Sequence, residues 1–116
     1  MTKEEKDLLF KDLAPRLPYG VKVHIQFLNH VETLIGLDII DGQIRKNGYM
    51  SDVKPYLRPM SSMTEEERKE YKHFVAFSGS PDGAANFIDW LNKNHFDYRD
   101  LIEKGLALEA PEGMYQ

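Results

Sequence analysis

The sequence predicts an α+β domain: an N-terminal helix, an antiparallel meander of three to four strands, then two to three helices packed on that sheet. Residues 21–53 alternate between apolar and polar side chains, whereas the residues after 64 repeat apolar side chains at helical spacing. Pro55 and Pro59 separate these halves, and no central strand or helix interior is expected to run through them.

Composition places the chain among soluble globular domains. Its 116 residues are 41% hydrophobic and 29% charged, enough for one domain with its own core. No apolar run approaches the roughly 20 residues that span a bilayer, and the N-terminus lacks the apolar core of a signal peptide. We therefore expect a cytoplasmic location and no membrane partner. The absence of cysteine excludes disulfides, thiolate metal sites and thiol nucleophiles.

The expected single domain divides into five segments. They are a helix and loop (1–20), the meander (21–53), a connecting strap (54–63), a helical part (64–110) and a frayed tail (111–116). The first helix is predicted over residues 3–13, because Thr2 and Glu5 have the spacing of a capping box.

The meander begins with the clearest strand of the chain, residues 21–27, which alternates strictly. A second strand is expected over 31–40, with Val31 and Ile35 facing the core, and Asp41-Gly42 is a strong hairpin signal. Short strands over 43–46 and 49–53 complete a sheet that curls, and a half-closed barrel is one alternative.

The helical part has two clear start signals. Thr64 and Glu67 have capping-box spacing before a helix over 65–76, and Ser80-Pro81 opens a helix over 81–94. A short helix over 98–104 and an edge strand within 106–110 are expected to follow. The residues predicted to be buried together are Val23, Ile25, Phe27, Ile35, Leu37, Phe74, Phe87, Ile88 and Leu91.

Catalytic patterns are absent from the sequence. None of its histidines stands at metal-ligand spacing, so neither a metal nor any other cofactor is expected. His30 and Glu32 are a candidate acid/base pair through proximity alone, and capping explains Ser61-Ser62 better than nucleophilic catalysis does. An enzyme is therefore the least favoured class. The histidines are His24, His30, His73 and His95.

The leading hypothesis is a non-enzymatic protein-interaction module with an unknown protein partner. Its candidate binding residues are Trp90, His95, Tyr98 and Arg99, around the end of the last long helix. Trp, Tyr and Arg are enriched in interface hot spots. The alternative for the same residues is a buried joint between two helices.

The alternative function is a nucleic-acid-associated accessory protein. Its cations would contact a phosphate backbone while neighbouring tyrosines stack on bases. The net charge of −4 disfavours nucleic acid as a partner, and a charged hairpin edge explains the same residues. These cations are Arg45, Lys46, Lys54 and Arg58, interleaved with Tyr49 and Tyr56.

Two long strings, VKPYLRPMSSMTEEER and FIDWLNKNHFDYRDLIEKGLALEAPEGMY, carry a resemblance. They are similar to short uncharacterised proteins that recur in gut anaerobic bacteria and in their phages and mobile elements. The resemblance covers residues 48–115 and implies an accessory gene that a mobile element can carry. It brings no established activity and no catalytic residue. In such proteins a Gly often stands where this chain has Asp100.

Overall fold

The computed structural model describes residues 2–26, 28–36, 43–44, 48–49 and 53–115. It is α+β, as predicted. The helices are α1 (Lys3–Leu13), a 3-10 helix (Ala14–Tyr19), a second 3-10 helix (Met60–Ser62), α2 (Glu65–Ala76) and α3 (Pro81–Lys93). The strands are β1 (Lys22–Ile25), β2 (His30–Thr33), β3 (Gln43–Ile44), β4 (Gly48–Tyr49), β5 (Val53–Leu57) and β6 (Leu108–Glu109).

The main sheet is mixed, with the strand order β2-β1-β5-β6. β1 pairs antiparallel with both β2 and β5, whereas β6 pairs parallel with β5. β3 and β4 form an antiparallel pair of their own. The predicted antiparallel meander is therefore only partly right, because β5 joins β1 directly and β6 adds a parallel strand. The predicted Asp41-Gly42 hairpin lies outside the described residues.

Pro55 lies inside β5, although a break was expected there. The register places Pro55 opposite Val23 of β1, while β6 pairs only with Tyr56 and Leu57. Proline is tolerated in a strand where no neighbour needs its missing N–H. Because β6 does not reach Pro55, β5 is an edge strand on that side at this position. The connecting strap is consequently shorter than predicted and begins at Arg58.

Strand β2 turns the opposite face to the core from the one predicted. Val31 pairs with His24, and directly paired residues share one face of a sheet. In β1, Val23 faces the core, so its neighbour His24 and the paired Val31 face away from it. Val31 and Ile35 are accordingly 44% and 60% exposed, and Leu34 is buried instead. Shifting the alternation of inward and outward side chains by one residue exchanges the two faces of a strand, so the predicted burial of Ile35 is wrong.

The three long helices begin where the sequence predicts. Thr2 and Glu5 form a reciprocal capping box at α1, and Thr64 and Glu67 form another at α2. The Ser80 hydroxyl accepts a hydrogen bond from the third residue of α3, and proline follows it in the first turn. These caps satisfy main-chain N–H groups that have no partner within the helix.

Within the part of the chain that the structure describes, the core consists of two clusters. The first joins α1, the main sheet and the turn after Asp100; the second joins α2 and α3 around Phe96. The first contains Leu9, Leu13, Val21, Val23, Ile25, Leu34, Val53, Leu57, Leu101, Leu106 and Ala107. The second contains Trp90, Leu91 and Phe96, with Met60, Met63, Tyr71, Phe74, Phe87 and Tyr98 partly buried around them.

The predicted core is confirmed for Val23 and Ile25 of the sheet, is wrong for Ile35, and is only partly right for the helices. Leu91 is buried, but Phe74 and Phe87 are only partly so. Ile88 is 41% exposed, so its predicted burial is wrong. The apolar stripe of α3 is covered at its C-terminal end and open nearer its start. Two further members of the predicted core, Phe27 and Leu37, lie outside the described residues.

The segment after α3 contains turns rather than the predicted short helix over 98–104. His95 and Asp100 have φ angles of 62° and 57°, in the left-handed region. Asp tolerates that region better than most residues, and Gly occupies it without strain. Residues 108–109 form β6, within the predicted edge strand. Among the described residues, no helix has the length and apolar content needed to cross a bilayer.

Gly83 allows the turn between α2 and α3 to close. A Cβ at this position would overlap the main-chain oxygen of Phe77. We predict that Gly83→Ala lowers the free energy of unfolding by about 1–3 kcal/mol, although Ala normally stabilises a helix relative to Gly. Gly79→Ala is the matched control, since nothing lies within 4 Å of its added Cβ. Equal denaturant stability of the two variants would contradict the close approach.

Candidate functional site

Trp90 is an internal residue of the helix joint, which we define as residues 90–99. It is 7% exposed, and its indole N–H donates a hydrogen bond of 2.9 Å to Glu70 of α2. Its ring centroid lies 5.4 Å from those of both Phe74 and Phe96. In the free chain Trp90 is thus a core aromatic that fastens α2 to α3, and its side chain is not an exposed anchor.

The other predicted binding residues of the joint also have partners within the chain. His95 is 7% exposed and stacks on Tyr115, with ring centroids 3.6 Å apart. The Tyr98 hydroxyl donates to the side-chain oxygen of Asn92 at 2.8 Å. The Arg99 guanidinium lies over the Tyr98 ring, and its side chain is 29% exposed. The structure brings the four predicted residues into one joint, in which Trp90 and His95 are buried and Tyr98 and Arg99 are half-buried.

The joint is connected to the strap by main-chain pairing. The N–H of Arg58 donates to the carbonyl of His95, and the N–H of Asp97 donates to the carbonyl of Arg58. The Arg58 guanidinium also lies 4.4 Å from the centroid of the Phe96 ring. Phe96 is therefore enclosed by the strap on one side and by Trp90 on the other.

Arg58 itself is committed to an ion pair. Its two terminal nitrogens donate to the two carboxylate oxygens of Glu67, at 2.8 and 2.7 Å. Planar bidentate pairing of this kind is among the stronger charge-assisted contacts. These hydrogen bonds lower the pKa of Glu67 to about 2. Glu67 also caps α2, so the strap and the helix start share one carboxylate.

A buried ion pair anchors the joint to the end of α1. Asp12 and Arg16 are both 0% exposed, and the Arg16 Nε donates to Asp12 at 3.0 Å. A second nitrogen of Arg16 donates to Asp12 and, at 2.7 Å, to the carbonyl of Phe96. The Nε of Arg99 lies 3.5 Å from Oδ1 of Asp12, the oxygen that also accepts from the second nitrogen of Arg16. The carboxylate is thus placed between two guanidinium groups.

The cations of the nucleic-acid hypothesis are not all described. Arg45 and Lys46 lie outside the described residues. Lys54 lies in β5 opposite His24, and Arg58 is engaged with Glu67. Nucleic-acid binding therefore stays a prediction, and Arg58 does not present a free guanidinium for it.

The structure brings together one of the groups considered for acid/base or metal chemistry. His30 and Glu32 do form a hydrogen-bonded pair, on partly exposed side chains of β2. Across the residues that the structure describes, no group of three His, Asp or Glu side chains could hold a metal ion. A cleft of about 600 Å³ does lie between the strap and residues 109–115. Its lining includes Arg58, Glu67 and Tyr115.

One face of the α2–α3 hairpin is uncovered. Phe74 and Phe87 stack between the two helices, with ring centroids 6.4 Å apart. Val75 and Ile88 each follow one of these rings by one residue. On two antiparallel helices that offset turns both side chains to the same side of the pair. They are 44% and 41% exposed, and Ala84, one turn before Ile88, is exposed as well.

We call Val75, Ala84 and Ile88 the open hairpin face. Two cations of α2 border it, because Lys72 and Arg68 precede Val75 by three and seven residues and so lie on the same side of the helix. Both are exposed. The hairpin therefore presents a small apolar surface with a basic margin.

Comparisons with known proteins identify no relative. No family model, no curated protein and no solved structure matches this chain. The resemblance to short proteins of gut bacteria and mobile elements accordingly stays an expectation.

Three residues that organise the joint were missed from the sequence. Asp12 and Arg16 are four apart at the end of α1, a spacing that allows an ion pair but does not reveal its burial. Tyr115 lies in the segment expected to be frayed, yet its hydroxyl bonds to main-chain groups of Lys22 and Tyr56. Only the tertiary structure brings these partners together.

Breaking the buried ion pair is expected to destabilise the fold strongly. We predict that Arg16→Met lowers the free energy of unfolding by about 3–5 kcal/mol, because it leaves the Asp12 charge buried without its main partner. The double variant Asp12→Leu with Arg16→Met should be more stable than the single one. Denaturant melts of both variants measure this, and a double variant no more stable than Arg16→Met would contradict the argument.

His95 should make stability depend on pH. Burial, with Arg16 and two further cations nearby, lowers the pKa of His95 from 6.5 to about 4. Between these values the unfolded chain takes up a proton that the folded chain does not, so stability falls as pH decreases. We predict a shallower fall for His95→Asn, which removes the imidazole and suits a positive φ.

The control for this measurement is Glu67→Gln. The pKa of Glu67 is lowered from 4.5, so its contribution to stability is present above that value and is lost as pH falls towards about 2. Relative to the wild type, that variant should be less stable by a constant amount above pH 4.5, and the slopes of the two curves should differ mainly below that value. Parallel curves for the wild type and His95→Asn from pH 6.5 to 4.5 would contradict the assignment to His95.

Proposed function

We propose that this chain is a non-enzymatic protein-interaction module that binds a partner through the open hairpin face. The observation that supports the proposal is that the row of apolar side chains along α3 is only partly buried against the rest of the chain. Ala84, Ile88 and Leu91 share this stripe at helical spacing, yet only Leu91 is buried. An amphipathic helix normally turns such a stripe to a core, so the open part is a candidate for a second protein.

The position of the hairpin fits this role. α2 has no fully buried residue, and α3 is buried only over Trp90–Asn92 at its C-terminal end. Docking on the open face would thus add cover to a pair of helices that is fixed to the rest of the chain at one end. The partner would extend an existing cluster of aromatic rings without requiring the fold to change.

The basic margin indicates the chemistry of the partner. Arg68 and Lys72 border the apolar side chains, so the complementary surface would be apolar with carboxylates beside it. Peripheral charges of this kind mainly steer association and select partners, and the apolar centre supplies most of the affinity. A short amphipathic helix with acidic flanks has both features.

The helix joint has a supporting role in this proposal. Trp90, His95 and Tyr98 are engaged within the chain, so they would position the hairpin without touching the partner. Arg99 retains an accessible portion, and a binding role for the joint residues stays a prediction. Fold stability and binding are then carried by different residues, which allows them to be tested separately.

The test compares two charge insertions on opposite sides of α3. Ile88→Glu places a carboxylate in the open face, and Asn86→Glu, two residues earlier, places one on the other side. Both positions are exposed, so melting temperatures should change little in either variant. In nuclease-treated extracts of the native host, we predict that Ile88→Glu loses about tenfold or more of partner recovery, as burying an unpaired charge implies, while Asn86→Glu does not.

A second arm tests the basic margin. Replacing Arg68 and Lys72 together by Glu should weaken recovery and reverse its dependence on salt, if acidic groups of the partner lie there. Equal recovery by the wild type, Ile88→Glu and Asn86→Glu would overturn the assignment to the open face. Recovery that disappears on nuclease treatment would favour the nucleic-acid alternative.

A further inference from the structure

Tyr115 occupies a site built from three separate parts of the chain. Its hydroxyl accepts a hydrogen bond from the N–H of Lys22 at 2.9 Å and donates one to the carbonyl of Tyr56 at 2.6 Å. Its ring stacks on His95 at 3.6 Å between centroids, with the planes 13° apart. We call this site the phenol slot. It recognises both the ring and the hydroxyl.

The slot lies where the pairing of β1 with β5 ends. The last pair of that ladder is Val23 with Pro55, and Lys22 and Tyr56 are the next residues on the two strands. The Tyr115 hydroxyl bridges these two residues. The hydroxyl takes the place of one more strand pair, because it satisfies one main-chain donor and one main-chain acceptor, both on partly buried residues.

The segment that carries Tyr115 is otherwise loosely attached. Residues 111–113 are exposed, and the N–H of Met114 bonds to Pro111 within the segment itself. Among the described residues, the hydrogen bonds that fix this segment to the body of the chain are those of the Tyr115 hydroxyl. The hydrogen bonding that attaches this segment is therefore concentrated in one side chain.

The occupant of the slot borders the cleft. Tyr115 is one wall of the space of about 600 Å³, together with Arg58 and Glu109, so release of Tyr115 would open the slot on that side. The Nδ1 atom of His95 is buried and has no hydrogen-bond partner. His95 is itself more than nine-tenths buried, and it offers a ligand an aromatic plane and a polar atom.

We propose that the phenol slot is a binding site for a phenolic ring, which the protein fills with its own Tyr115, so that residues 111–115 form a latch that opens without unfolding the domain. The ligand class follows from the two hydrogen bonds. A phenol hydroxyl can accept from Lys22 and donate to Tyr56 at once, whereas a plain aromatic ring leaves both main-chain groups unpaired. Burial raises the pKa of Tyr115 to about 12, which keeps the donating proton in place at neutral pH.

The first test empties the slot and refills it with small probes. Tyr115→Ala should lower the melting temperature, and Met114→Ala, its neighbour, should change it much less. Millimolar p-cresol should then raise the melting temperature of Tyr115→Ala with increasing concentration, since a ligand of the folded state stabilises it by mass action. The wild type, whose slot is filled, should respond less, and toluene should have less effect than p-cresol.

The second test follows latch opening in a chain that keeps its ring. In the wild type, the amide of Lys22 should exchange with solvent faster than the sheet amide of Leu34, which bonds to Val21. Tyr115→Phe removes both hydrogen bonds of the hydroxyl, including the one that protects the Lys22 amide. It should accelerate exchange at Lys22 by about tenfold or more while leaving Leu34 unchanged. This variant decides the matter if Tyr115→Ala does not fold.

Specific outcomes would overturn the proposal. An unchanged melting temperature for Tyr115→Ala would show that the latch contributes no attachment. Equal effects of p-cresol on the variant and the wild type, or of toluene and p-cresol on the variant, would remove the phenol slot. Exchange at Lys22 that occurs only together with Leu34 would show that the latch opens only when the whole domain unfolds.

Discussion

The rest of the fold depends on the buried guanidinium of Arg16. It donates to Asp12 at the end of α1 and to the carbonyl of Phe96, eighty residues later. A charge that is 0% exposed is tolerated only when its partners are close and well oriented. The same Phe96 lies under Arg58 of the strap and beside Trp90 of α3. One hydrogen-bonded cation therefore brings together the first helix, the strap and the base of the hairpin.

This arrangement explains why the residues that look most suited to binding are internal. Trp90 and Tyr98 are held by hydrogen bonds within the chain, and His95 by stacking on Tyr115. The apolar surface left without cover lies away from the joint, on the hairpin. The joint residues therefore stabilise the chain, whereas Val75 and Ile88 of the open hairpin face belong to the part that we propose binds.

Local signals predicted the helices, and the sequence contains no local signal for the contacts made at a distance. The capping boxes at Thr2 and Thr64 depend on residues three apart, so they can be predicted from the sequence. The face of β2, the place of Pro55 in β5 and the parallel pairing of β6 depend on which strands meet, which periodicity does not specify. The same holds for the candidate site. The sequence correctly predicted that the joint residues are neighbours, but it did not predict their partners Arg16 and Tyr115, which are distant in the chain.

Site-resolved hydrogen exchange of Arg16→Lys tests the central claim most directly, since lysine keeps a charge but cannot reproduce the planar set of donors. If Arg16 fixes the joint, the amides of Arg58 and Asp97, which pair the strap with the joint, should lose about tenfold or more of their protection, as a lost charge-assisted hydrogen bond implies. The amide of Leu34 in the sheet should lose less. Equal losses at all three amides, or unchanged protection at Arg58 and Asp97, would contradict the account.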